Sequence, residues 1–350
     1  MTSKELVQNT LNGTNCGRAP RQVCLIKWAW IHNEKWVKKY LEMYPDDIVF
    51  PAVEYEQPFV RMKGDQYETG EYIDAWGSIF TNIQRGVIGE VKTPIIQEDD
   101  WSDAVKNVHV PEELLSFDIN KVNEWCARSD KYIFGGSNPA PFEQMQLLRG
   151  TENLYMDLSD PPVKMLEFMD IMHDFYCRWT KKWAQTDVDA LLIQDDWGSQ
   201  RAMLIDPKLW KKLFMPRYRE YIDIAHKAGK KVFMHSDGYI LDILPLLIDI
   251  GLDAINSQIF CMGVENLRQF RGKITWWGEV DRQYILNRGT IREVEDAVKL
   301  VYDNLWKDGY CIAQCEFGTG SKPQNVFTMY ETWNRLTAGK DYVKQDLPDL

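Results

Sequence analysis

Residues 229–258 read "GKKVFMHSDGYILDILPLLIDIGLDAINSQ", and this stretch decides the fold. A short apolar run, Lys231 to Met234, ends in His235, Ser236, Asp237 and Gly238. A helical segment containing Pro245 follows, then a second short apolar run ending at Asn256 and Gln258. Strand, helix and strand within thirty residues is the spacing of a right-handed βαβ unit in a parallel sheet.

The pattern continues on both sides. Upstream, "VDALLIQDD" (188–196) predicts a buried strand ending in Asp195 and Asp196. The segment 207–229 predicts a helix with Asp206 as N-cap, Pro207 at its first position and a break at Pro216. Downstream, 263–272 predicts a short helix, 273–281 a strand, 290–309 an amphipathic helix, 310–316 a strand and about 323–337 a final helix. In the front half, 21–28 and 131–136 predict strands, about 1–20 a helical extension, 68–95 an antiparallel excursion on turn glycines, and 153–186 helices. With no Gly/Ser-rich linker, the expectation is one domain over 1–350: an α/β fold, a single (β/α)8 TIM barrel with amino-terminal helical and hairpin elaborations. A Rossmann-like sheet ranks second, because no GxGxxG follows any strand.

Net charge is −11 and no basic run reaches five residues, which excludes nucleic acid as a natural partner. The amino terminus lacks the apolar core of a signal peptide and no 18-residue apolar run follows, so the expectation is a cytoplasmic protein without a membrane partner. Seven cysteines at scattered positions then read as free thiols.

A barrel gathers its reactive groups at the carboxyl ends of its strands. Those ends hold Asp195 and Asp196, His235 and Asp237, Asn256 and Gln258, Glu279 and Asp281, and Cys315 and Glu316. Side chains two apart share a strand face, so His235 pairs with Asp237, and Cys311 and Ala313 with Cys315. Imidazole, carboxylate and thiolate converging on one mouth would suit zinc with an open position. Each group also has an ordinary explanation: Asp237-Gly238 suits a turn, Asp195 and Asp196 suit a helix cap, and Cys315 suits a core. Fourteen tryptophans are a further signal, since an aromatic pocket would draw on Trp28, Trp30, Trp76, Trp197 and Trp277.

Four segments carry a family resemblance: "DDWGSQRAMLIDPKLWKKLFMPRYREYI", "GKKVFMHSDGYILDILPLLIDIGLDAINSQ", "WWGEVDRQYILNRGTIREVEDAV" and "GYCIAQCEFGTGSKPQNV". In this order and spacing they resemble the uroporphyrinogen decarboxylase superfamily, which includes zinc-dependent, corrinoid-linked methyltransferases. True decarboxylases carry an Arg-rich first strand that grips substrate carboxylates, whereas this chain has "VCLIKWAWIHN" with the single Lys27. The methyltransferase branch places zinc on a His-x-Cys-Gly segment and a distant Cys. His235 matches the His, Asp237 replaces the first Cys, and Cys315 matches the second, ten residues before Asn325.

The resemblance therefore implies a methyltransferase moving a methyl group between a small substrate and a cobamide carried by a partner corrinoid protein, and the tryptophans point to a methoxylated aromatic or another apolar methyl donor as that substrate. Zinc would lie on His235, Asp237 and Cys315 with Glu279 as fourth ligand, Asp196 or Glu316 would act as acid–base group, and Asn256, Gln258 and the tryptophans would hold substrate. It also implies a homodimer. Two other functions stay open: a metal-free decarboxylase or lyase using Asp195, Asp196 and His235 on a smaller acid, and a non-catalytic ligand-binding barrel.

Overall fold

A computed structural model describes residues 1–15, 17–339 and 342–344. Its strands are β1 Arg21–Leu25, β2 Ile48–Val49, β3 Gly70–Ile73, β4 Ile79–Asn82, β5 Glu90–Val91, β6 Tyr132–Ile133, β7 Ala190–Gln194, β8 Lys231–Ser236, β9 Ala254–Ser257, β10 Thr275–Trp277 and β11 Cys311–Phe317. Six form one parallel sheet in the order β1-β11-β10-β9-β8-β7. This is the curled, half-barrel sheet of an α/β fold. β2 pairs in parallel with β6. β6 is bridged to the free edge of β7 through Phe134 and Ala190, and Asp47 beside β2 donates its N–H to Arg21 O of β1 at 2.9 Å. The excursion is a three-stranded antiparallel sheet, β3-β4-β5, as its turn glycines predict.

Helices cover the outside of the sheet for reasons written in their ends and faces. Ile291–Leu305 starts at a capping box, in which Thr290 Oγ1 accepts from Glu293 N while the Glu293 carboxylate accepts from Thr290 N. It buries Val294, Ala297, Val298, Val301 and Leu305, a helical stripe. The segment 207–229 divides into Pro207–Leu213 and Met215–Lys227, breaking where Pro216 removes a backbone donor, and Asp206 caps the first piece through Lys208 N at 2.7 Å. Ser3–Leu11 closes the amino-terminal end of the sheet, packing Val7 and Leu11 with Ile48 and Tyr132.

Inside, Phe134, Phe233 and Trp277 form an aromatic plug, with Phe134–Phe233 centroids 4.6 Å apart and Phe134–Trp277 edge-on at 5.3 Å. Such pairs contribute about 0.5–1.5 kcal/mol each beyond area burial. The plug fills the lower half and separates the cavity at the carboxyl ends of the strands from a groove of about 620 Å³ at their amino-terminal ends, where Lys4, Asp189 and Lys231 lie.

Two expectations change. The strand expected over 273–281 stops at Trp277, leaving Glu279 and Asp281 in the following loop. The strand expected over 21–28 stops at Leu25, and Trp28 and Trp30 lie on helix Lys27–Met43. No helix among the described residues is long and apolar enough to cross a membrane.

Candidate functional site

The register of the sheet builds the site. Gln194 stands beside His235, His235 beside Asn256, and Cys24 beside Glu316. Together with Gln22, Trp277 and Gln314 they face a cavity of about 520 Å³. The loops that leave these strands add Asp237, Glu279 and Arg282. One wall is apolar, made by Leu25, Phe50, Ile88, Leu192 and Trp277.

His235 is held in one orientation. Asn256 Nδ2 donates to Trp277 O and, at 3.0 Å, to Gln314 Oε1. That turns Asn256 Oδ1, an acceptor only, toward His235 Nδ1, which must therefore carry a proton. His235 Nε2 then points at two carboxylates, 3.6 Å from Asp196 Oδ1 and 3.6 Å from Asp237 Oδ1. Asp237 is seated by its own N–H, which donates to Asp196 Oδ1 at 2.8 Å, and by the glycine after it. Gly238 has φ +78°, and a Cβ there would overlap the backbone of Gly198.

Arg282 is the counter-charge. It contacts Asp237, lies 2.9 Å from Glu316 and 3.6 Å from Glu279. Carboxylates still outnumber it. Burial pushes the Glu279 carboxyl up to about 8, against the opposing pull of Arg282. Burial, reinforced by Asp196, pushes Glu143 up to about 7. Asp196 and Glu316 are also raised by burial, each partly offset by its cationic neighbour. Burial alone would lower His235, but Asp196 and Asp237 outweigh it and raise the imidazole above its usual range. Cys24 opens to the cavity but is walled by protein, and burial pushes its thiol up to about 12.

The donor set suits a divalent cation. His235, Asp196 and Asp237 each bring one ligand atom within 4.8 Å of the others. Ligands about 2.0–2.2 Å from a shared ion stand about 3–3.5 Å apart, close to the separations here. Asp237 Oδ1 is buried without a hydrogen-bond partner, and an oxygen left in that state costs stability unless something positive approaches it.

Several expected site residues lie elsewhere. Cys315 faces outward: its Sγ is buried and donates to Tyr330 Oη at 3.7 Å on helix Pro323–Thr337, while Gln314 and Glu316 face in. The shared face of Cys311, Ala313 and Cys315 is thus the helix-facing one, and Cys315 does not join the cation ligands. Asp195 is buried under the sheet and accepts from Phe142 N at 3.0 Å, Glu143 N at 2.7 Å and Tyr218 Oη. Trp197 stacks on Phe142 at 4.2 Å, and Trp76 is buried edge-on to Phe175 at 5.5 Å, so both are core. Trp28 and Trp30 are half-buried on their helix and do not line the cavity; Trp28 packs beside His32. Of the five tryptophans, Trp277 alone is in the wall. Gln258 lies in an adjoining space of about 150 Å³ that shares Glu279 and Arg282 with the main cavity. Asp281 accepts from Gln283 N and Tyr284 N, and so shapes the loop.

Sequence reasoning missed Arg282, Cys24, Glu143, Gln22 and Gln314. Cys24 and Gln22 carried a usable signal, being two apart on a predicted strand. Arg282 and Glu143 lie outside strands, where alternation says nothing.

The uroporphyrinogen decarboxylase (URO-D) family pattern matches residues 79–336. The chain belongs to this family. A methyltransferase from Methanosarcina mazei shares its fold with TM-score 0.63 and 14% identity, over 96% of this chain and 99% of that one. A B12-independent methionine synthase from Shewanella sp. W3-18-1 is more distant, at TM-score 0.45 and 13% identity over 93% and 97% of the two chains. No curated protein matches the sequence. Among URO-D features, the Arg-rich first strand expected of the decarboxylases is absent here, since β1 is Arg21–Leu25 and its one arginine contacts Pro45 O and the Tyr44 ring.

Proposed function

We propose that this URO-D family protein is a methyltransferase that takes a methyl group from a small, uncharged methoxylated substrate and passes it to a cobamide held by a partner corrinoid protein. The observation that carries it is the His235, Asp196, Asp237 set, with Nε2 turned toward two carboxylates at the mouth of a cavity that has one apolar wall. The fold likeness to a methyltransferase supports it, and the short strands β2 and β6, linked to β7 and β1, support a complete (β/α)8 barrel beneath it.

The set is nitrogen and oxygen only, which suits zinc as a hard Lewis acid more than as an activator of thiols. When bound there, the cation supplies polarisation of the ether oxygen that leaves with the aromatic ring. The residues do the rest. Asn256 holds His235 in the tautomer whose Nε2 faces inward. Trp277, Phe50, Ile88 and Leu192 pack the ring and exclude water from the methyl group. Glu279, on the cavity wall with its carboxyl raised by burial, is the group we assign as proton donor to the leaving oxygen. Arg282 keeps Asp237 and Glu316 in place rather than gripping substrate.

The charge of the mouth weighs against a decarboxylase of anionic acids. Asp196, Asp237 and Glu316 already engage Arg282 and His235, so a substrate carboxylate would meet like charge without a free guanidinium.

Two measurements test the assignment. Purified protein should hold about one more equivalent of zinc than His235→Ala; a difference of less than about half an equivalent after supplementation overturns the barrel-mouth cation. Cob(I)alamin should become methylated when protein and a panel of methoxybenzenes are mixed, read by absorbance; no turnover across the panel, with or without candidate corrinoid proteins, overturns the methyl transfer.

A further inference from the structure

A second cluster of ligand-type side chains lies on the outside of the molecule. Helix Val163–Ala184 carries His173 and Cys177 four residues apart, so both stand on one face. Helix Met215–Lys227, packed alongside, presents Glu220 to them. His173 Nε2 is 2.9 Å from Glu220 Oε2 and 3.6 Å from Cys177 Sγ. Among the described residues, this group and the barrel-mouth group are the two in which three such atoms fall within 4.8 Å of one another.

We infer that His173, Cys177 and Glu220 form a second divalent-cation site, suited to zinc, that clamps the two helices together. Three features favour coordination. Nitrogen, sulfur and oxygen at these separations match a zinc ion with Zn–N about 2.0–2.1 Å, Zn–S about 2.3 Å and Zn–O about 2.0–2.2 Å. His173 Nδ1 lies 2.9 Å from Tyr221 Oη, the kind of outer partner that fixes a ligating ring. The cluster is also graded from inside to outside: Cys177 is buried, the His173 side chain is 19% exposed and Glu220 is 52% exposed. The fourth position of a tetrahedral ion would therefore face outward. There the two helices border a groove of about 750 Å³ lined by Lys181, Gln185, Arg219, Glu220, Asp223 and Lys227, from which water enters.

A Cys–His–Glu nucleophile is the competing explanation for the same three residues. Its thiol would need a free ring nitrogen to act as base, but Nε2 already meets Glu220 Oε2 at 2.9 Å. Nδ1 is also already occupied by Tyr221.

The site differs from the barrel mouth in containing sulfur, which gives it a separate readout. Cobalt(II) titrated into chelator-treated full-length protein should develop a near-ultraviolet sulfur-to-cobalt charge-transfer band that saturates by two equivalents in the parent and at one equivalent in His235→Ala, where the barrel-mouth site is disabled. The band should persist in His235→Ala and Asp196→Asn, disappear in Cys177→Ser, and need at least about tenfold more cobalt in Glu220→Gln. No band, or a band that survives Cys177→Ser, overturns the site. Should Cys177→Ser fail to fold, Glu220→Gln decides, because its side chain is half exposed: an unchanged titration overturns the site.

Discussion

Neighbouring residues on one strand end live in different worlds. Asp196 faces His235 and accepts from Asp237 N, while Asp195 is buried under the sheet as a cap for helix Pro141–Arg149 and a partner of Tyr218. Glu316 meets Arg282 in the mouth, while Cys315 lies against Tyr330 among the outer helices. His235 faces in, while Ser236 Oγ accepts from Trp197 N behind it. A one-residue step exchanges a chemical role for a structural one, because strand side chains alternate between two buried faces.

The Asp195 and Asp196 pair offers the largest break. Asp195→Ala leaves Phe142 N, Glu143 N and the Tyr218 hydroxyl unpaired in the interior, and should cost about 3–5 kcal/mol in denaturant unfolding. Asp196→Asn should change stability by less than about 1 kcal/mol yet weaken zinc binding about 10- to 100-fold, read by competition with a chelator. Equal losses of stability from the two variants would show that the inner and outer faces are not distinct.

Glu279 sharpens the comparison through pH. Its folded carboxyl, pushed up to about 8, keeps a proton that the unfolded chain releases near its ordinary 4.5. Between those values the native state binds more protons, so stability falls as pH rises, by at most about 1.4 kcal/mol per unit from this group. Glu143 and Asp196 act in the same direction, so the readout is a difference. In chelator-treated protein, Glu279→Gln should flatten the decline from pH 5 to 8 and should unfold at a higher temperature than the parent at pH 8. A parallel pair of pH profiles would place Glu279 in contact with solvent rather than in the buried mouth.

The alternation of strands and helices after residue 185 was legible because its longer helices open on a cap or a proline and its strands run into polar groups at or just past their ends. Thr290, Asp206 and Pro323 are examples. The front half was less legible, since β2 and β6 are two residues long and periodicity has nothing to act on. Within the site, His235, Asp237, Asn256, Glu279 and Glu316 were found by looking at strand ends alone. Arg282 was not, because a loop residue three positions beyond Glu279 reaches back by folding, which no strand rule describes. The tryptophans misled for a related reason: Trp76 and Trp197 sit beside polar residues in sequence but turn into the core.

Cys315 shows why parity needs a neighbour to anchor it. In "YCIAQCE" both faces of the strand are buried, so one set of alternate residues is as apolar as the other, and the thiol is as plausible inward as outward. Pairing with β1 settles it: Cys315 stands beside Val23, and Glu316 beside Cys24, which opens to the cavity. Cys315→Ala should therefore leave barrel-mouth zinc unchanged and cost only about 1 kcal/mol, for a small buried group and its weak contact with Tyr330. Because Tyr330 keeps its stronger hydrogen bond to Gln22 O, at 2.6 Å, the strand itself should not move. Zinc lost in this variant, with the fold intact by circular dichroism, would mean that β11 presents its other face to the cavity. Glu316 and Gln314 would then leave the mouth together, and Asn256 would lose the partner that fixes His235.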